Sequence, residues 1–182
     1  MTTKHTLSLT TYLQSTKPPW TTLLTVKTGQ APESLVHTPG GYALTIIKGR
    51  HCKTPANLFA EFARAMKFPD YFGHNWDALE ECLADLEWLP AKGYIVLITD
   101  AGSVLPNDDA EYENFLEILS DAGEVWGNGQ AEASARRATP FHVLFAVSER
   151  DRTARAHWGI QEIEADPPRK SRIPRRTSSK HP

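Results

Sequence analysis

The sequence predicts an α/β fold, a small three-stranded parallel sheet packed against helices. Three observations predict it. Short apolar, β-branched runs stand at 42–48 (YALTIIK), 94–99 (YIVLIT) and 141–147 (FHVLFAV). Helical spacing of apolar residues fills the intervals between them. The second and third runs are apolar at nearly every position, as strands buried on both faces of a parallel sheet are.

Each element has a local cause. Residues 1–40 are Thr-rich and irregular, broken by Pro18-Pro19 and Pro39-Gly40-Gly41, with one candidate strand at 23–27. After the first run, Thr54-Pro55 offers an N-cap followed by proline at the first helical position. Leu58, Phe59, Phe62 and Met66 then recur at helical spacing and predict a helix over 55–67. Residues 68–75 form a loop punctuated by Pro69 and Gly73. Asn75 caps the next helix, whose seam is Leu79, Cys82, Leu83 and Leu86, and Pro90 stops it. Asp108 or Asp109 opens a third helix over 109–122, with Tyr112, Phe115, Leu116 and Leu119 as its seam and Gly123 near its end. The stretch 127–139 reads as an exposed loop, and after Val147 the chain turns polar and basic.

A chain of 182 residues suits one domain with appendages. The expected division is an N-terminal, partly irregular extension over 1–40, a domain over 41–149, and a basic, disordered tail over 150–182. No run approaches 18 apolar residues, which excludes a transmembrane helix. The first residues lack the apolar core of a signal peptide. The two cysteines, Cys52 and Cys82, exclude a disulfide scaffold and fit a reducing cytoplasm.

The net charge of −2 hides an asymmetry. Residues 150–182 carry a net +5 and residues 1–149 a net −7. Between 70 and 124 there are fourteen acidic side chains and one basic one, Lys92. Such a surface repels nucleic acid and attracts basic partners. The tail reads as solvated disorder, with weak nucleic-acid contact as its alternative.

The phosphate-binding, dinucleotide, zinc-protease and nucleophile-elbow motifs are all missing. The seven histidines do not cluster at metal-ligand spacing, and no cofactor is expected. Cys82, on a helix seam, reads as a small buried thiol. The acidic residues are better organised. Asp77, Glu81 and Asp85 stand at i, i+4, i+8 with Glu80 beside them, and Glu113, Glu117 and Asp121 repeat the spacing. Like charges so placed cost a helix roughly 0.2–0.5 kcal/mol per pair, and no Lys or Arg interleaves. Three readings stay open: a solvated face, a surface arranged for a cationic partner, or a divalent-metal site joining Asp77 or Glu81 to Asp100. Among the loop aromatics, Phe72 and Trp76 divide between packing and contact. Tyr71, a loop tyrosine beside acidic groups, suits an interface anchor.

The run Phe68-Pro69-Asp70-Tyr71-Phe72-Gly73-His74-Asn75-Trp76-Asp77-Ala78-Leu79-Glu80-Glu81-Cys82-Leu83 resembles the signature of the barstar-like family, intracellular inhibitors of a secreted ribonuclease. The order of strands and helices extends the likeness over about 42–148. The resemblance implies a barstar-like three-stranded parallel sheet, and a second helix that plugs the nuclease active site together with the loop before it. It implies contact roles for Tyr71, Asp77 and Glu81. Glu80 stands where the family's type member has a contacting tryptophan. Glu81 replaces its key aspartate with one methylene more, and Asp121 falls where it has a supplementary glutamate. These departures bear on which nuclease is bound.

The physics of such inhibition is direct. A ribonuclease holds phosphates with Arg, Lys and His. A carboxylate on a rigid helix takes the phosphate position and bonds Arg bidentately. The expectation is therefore a non-enzymatic, monomeric, cytoplasmic inhibitor or immunity protein that binds a basic nuclease one to one, away from membranes. A metal-dependent phosphoesterase and a non-inhibitory regulatory module are the alternatives.

Overall fold

The computed structural model describes residues 8–129, 136–151, 160–163 and 165–166. Its strands are β1 (Thr21–Val26), β2 (Ala43–Lys48), β3 (Tyr94–Thr99), β4 (Phe141–Ser148) and β5 (Glu162–Ile163). Its α-helices are α1 (Leu9–Leu13), α2 (Pro55–Met66), α3 (Trp76–Asp85) and α4 (Asp109–Asn128). The three expected strands lie side by side as β2, β3 and β4, all parallel. The expected three-stranded sheet is nevertheless corrected to five strands, in the order β2-β3-β4-β1-β5.

The candidate strand at 23–27 appears as β1, displaced to Thr21–Val26, whereas β5 comes from the segment expected to be a disordered tail. β1 pairs in parallel with β4 from Thr21↔Val143 to Val26↔Ser148. Its sequence, TTLLTV, counts as half polar by composition, yet threonine is β-branched and fits a pleated surface. Thr21 and Thr22 are buried there. β5 adds two residues on the far side of β1, too few for any period to show. α1, also unexpected, spans only five residues. Its N-terminus is closed from the other end of the chain, where the Asp166 carboxylate accepts the Leu9 and Thr10 N–H groups at 2.9 Å each. Residues 152–159, 164 and 167–182 of the expected disordered tail lie outside the described residues.

Helices α2, α3 and α4 cover one face of the sheet, with Phe62, Phe115, Phe141, Phe145, Leu79 and Leu83 in the core between. α1 and the segment after β1 cover the other face through Leu9, Leu13, Leu24, Leu97 and Leu144. Among the described residues, no helix is long and apolar enough to cross a membrane.

Thr54 caps α2 as expected, accepting the Asn57 N–H, with Pro55 at the first turn. α4 departs from expectation, because it runs through Gly123 to Asn128. Gly123 does not end the helix. It faces Trp20, and a Cβ there would lie 2.4 Å from Trp20 Cγ. One at Gly127 would lie 2.2 Å from Trp20 Cη2. The two glycines form a slot for an indole about a hundred residues away, which local sequence cannot reveal. Residues 127 and 128 of the expected loop thus belong to α4, and 130–135 lie outside the described residues.

His142 fastens the N-terminal segment to β4. It is fully buried, its Nε2 stands 2.8 Å from the Ser15 carbonyl oxygen, and its ring lies 4.2 Å from that of Tyr12. Burial holds its pKa below the ordinary histidine value.

Glu61 fastens α2 to the end of β2. It is 4% exposed. Its carboxylate accepts from the Lys48 N–H at 3.0 Å and from Arg64 Nη2 at 2.6 Å, with His51 Nδ1 at 3.2 Å. Burial alone would raise its pKa, but the hydrogen bonds from Arg64, Lys48 and His51 and the Arg64 charge outweigh it and bring it down to about 2. A depressed carboxyl contributes stability that is present above its unfolded pKa, about 4.5, and is lost as pH falls toward about 2. Urea unfolding across that window is expected to show a shallower acid loss for Glu61→Gln than for the parent chain. Equal slopes would remove Glu61 from the acid response.

Candidate partner-binding face

α3 is built to be rigid. Asn75 Oδ1 accepts the Ala78 N–H at 2.8 Å and starts the helix. Leu86, in the left-handed region at φ 48°, ends it and returns its N–H to the Cys82 carbonyl oxygen. Leu79, Cys82 and Leu83 are buried. Trp76 locks the first turn, donating from Nε1 to Glu111 Oε2 at 2.6 Å and standing edge-on to Phe59 with centroids 4.8 Å apart. In the preceding loop Phe72 is buried against Phe68, 4.8 Å between centroids. Phe72 and Trp76 therefore serve packing.

What remains outside is the acidic set and one aromatic. Asp77, Glu80, Glu81 and Asp85 of α3 are exposed, as are Glu113, Glu117 and Asp121 of α4. α3 packs on α4, so both stripes belong to one rigid layer. Tyr71 is 75% exposed, an unusual amount of aromatic surface left in water. Its phenol is held above the ordinary tyrosine range, first by loss of water and then by Cys82, Asp85 and Glu87. Among the described residues, none of Asp77, Glu80, Glu81, Asp85 and Asp121 is held in an ion pair.

Cys82 is buried under this face, and its thiol is pushed up by burial and then by Asp85 and Glu81. A thiol so shifted is a poor nucleophile at neutral pH.

Asp100 does not join the face. It lies at the end of β3, its carboxylate 3.8 Å from Arg50 Nη1. It lines a cleft of about 410 Å³ with the exits of β1 and β4, to which no α3 residue contributes. Among the described residues, no group of three or more His, Cys, Asp or Glu side chains is placed to hold a metal ion. The metal-site reading, which joined Asp77 or Glu81 to Asp100, has no assembled ligand set.

One residue beside the site escaped the sequence reading. Arg136, read as part of an exposed loop, instead stacks on Trp126 and bonds the end of α3. Nothing in its local sequence marks it.

The comparisons with known proteins bear on this geometry. A family model described as Barstar (barnase inhibitor) matches residues 42–146. The chain belongs to the barstar family. The match takes in β2, β3 and most of β4 with α2, α3 and α4, and so the whole acidic face. β1, β5 and α1 lie outside it, and the two strands widen the sheet beyond β4. No curated protein matches the chain. One similar solved structure is that of the Aeropyrum pernix ORC2 protein in its ADPNP-ADP complexes, with a TM-score of 0.47 and 10% sequence identity. That likeness covers 86% of this chain, which spans 43% of the other.

Proposed function

We propose that this barstar-family chain is a non-enzymatic, intracellular inhibitor of a barnase-type ribonuclease, binding it one to one. The helix α3 and the loop before it enter the enzyme's active site. Residues 41–149 are the inhibitory unit, with 1–40 as an N-terminal extension and 150–182 as a basic tail. The observation that supports this reading most is the exposed row Asp77, Glu81 and Asp85, unpaired among the described residues and flanked by Tyr71, inside the family-matched region. Exposed carboxylates in a row meet the arginine and lysine groups with which a ribonuclease holds RNA. Tyr71 supplies the rigid apolar contact that a hot spot needs. Glu80 and Asp121 add contacts at the edge.

Titrating barnase with the full chain tests the proposal. RNA cleavage is expected to fall linearly to zero at one equivalent, without added metal. Undiminished cleavage at a large excess would end the reading. Association is also expected to be steered by charge, because fourteen acids face one base over 70–124. Rates of about 10⁸ M⁻¹s⁻¹ at low salt, falling steeply with ionic strength, are expected; that magnitude is carried over from the barnase–barstar pair. A rate indifferent to salt would remove steering.

A further inference from the structure

We propose that Arg136 is a positioning residue for the acidic face, fixing the last turn of α3 so that Glu81 and Asp85 are presented in one orientation. The binding half of this inference rests on the inhibitor reading; the structural half stands alone.

A helix ends with four carbonyls lacking partners inside it. In α3 each of the last four has one. The Leu86 N–H reaches the Cys82 oxygen at 3.2 Å. Trp126 Nε1 donates to the Leu83 oxygen at 2.8 Å. Arg136 Nη1 donates to the Ala84 oxygen at 2.7 Å and reaches the Asp85 oxygen at 3.5 Å. The guanidinium carbon lies 3.7 Å from the centroid of the Trp126 ring. Trp126 is itself held from both sides. It is buried near the end of α4, its carbonyl accepts the Thr139 N–H at 2.8 Å, and its ring lies 4.7 Å from that of Tyr94. The end of α3 is thus tied to α4 and the start of β3 through two side chains far away in sequence.

The tie answers an electrostatic problem. α3 has no basic residue in its last turn, and Asp85 sits there, against the negative end of the helix dipole. Arg136 supplies the missing cation. A charge-assisted bond to backbone oxygens holds the turn more firmly than a neutral one. A pre-ordered turn spares the partner the cost of ordering it.

Simple electrostatics and positioning predict opposite signs. Arg136 is a cation beside an acidic face. If it acted only by charge, removing it would strengthen attraction to a basic ribonuclease. If it positions α3, removing it weakens binding. The test uses the full chain, Arg136→Gln and Arg136→Lys, with barnase as the probe. For Arg136→Gln, amide hydrogen exchange at Leu86 and Leu89 in the free protein is expected to rise at least about tenfold, the scale of one lost charge-assisted bond. The dissociation constant for barnase is expected to rise about tenfold through faster dissociation, with low-salt association no slower. Arg136→Lys keeps the charge but loses the planar stack, and is expected to recover only part of the loss. Trp126→Phe keeps a ring under the guanidinium and loses the bond to Leu83, so it is expected to show a smaller rise in exchange. Unchanged exchange, or a complex with Arg136→Gln as tight as the parent's or tighter, would overturn the proposal. If the parent chain leaves barnase active, the inhibitor reading fails, and amide exchange still decides whether Arg136 holds α3.

Discussion

Glu81→Ala is expected to weaken capture of the ribonuclease by roughly 2–5 kcal/mol while changing folding stability by less than about 0.5 kcal/mol. The asymmetry follows from where the residue sits. Glu81 is exposed in the middle of α3, on the side away from Leu79 and Leu83, and the core does not touch it. It stands one turn from both Asp77 and Asp85, so its removal relieves repulsion within the helix. On binding, the balance reverses. The enzyme's Arg and Lys groups lose water as the face closes over them, and without Glu81 they stay buried and unpaired. The longer glutamate side chain freezes more rotamers than an aspartate would, which trims its contribution. The measurement pairs the affinity for barnase with a melting curve for the same variant. An affinity loss under about 0.5 kcal/mol, or a large drop in stability, would show that Glu81 is not the phosphate mimic.

The largest stability effect is expected at Trp20, outside the family-matched region. Trp20→Ala is expected to cost about 3–5 kcal/mol, the range for emptying a buried aromatic site. The indole sits in a slot made by Gly123 and Gly127 of α4, with the His142 ring 5.9 Å away. A helix surface lacking two Cβ atoms cannot close over the hole, so little relaxation offsets the loss. The result also tests whether the first forty residues are structural. A dispensable extension predicts a change under about 0.5 kcal/mol in urea unfolding, a scale typical of surface substitutions. A docked β1 and α1 predict the larger figure, with the transition still cooperative.

The acidic face was legible in the sequence because it is a local property. Spacing of i, i+4, i+8 places Asp77, Glu81 and Asp85 in a row on any α-helix, and Asn75 and the leucine seam say that this one is a helix. Tyr71 was legible as a loop tyrosine beside acidic groups, and the structure leaves it exposed while its neighbour Phe72 is buried. β3 and β4 were legible because each is a nearly continuous apolar run with a paired strand on both sides, and β2, at the sheet edge, was legible as a short β-branched run.

What only the tertiary structure decided are the features that depend on pairs far apart in the chain. β1 looks polar until β4 and β5 flank it and its threonines are covered. Gly123 and Gly127 look like helix breakers until Trp20 fills the space they leave. Arg136 looks like a solvated loop residue until Trp126 lies under it and the carbonyls of α3 lie before it. Period and capping reflect forces within a few residues, so the sequence by itself determined α2, α3, the start of α4, the core strands and the charge pattern of the binding face. The width of the sheet and the clamp on α3 depend on which distant surfaces exclude water together, and that is settled only when the chain is packed.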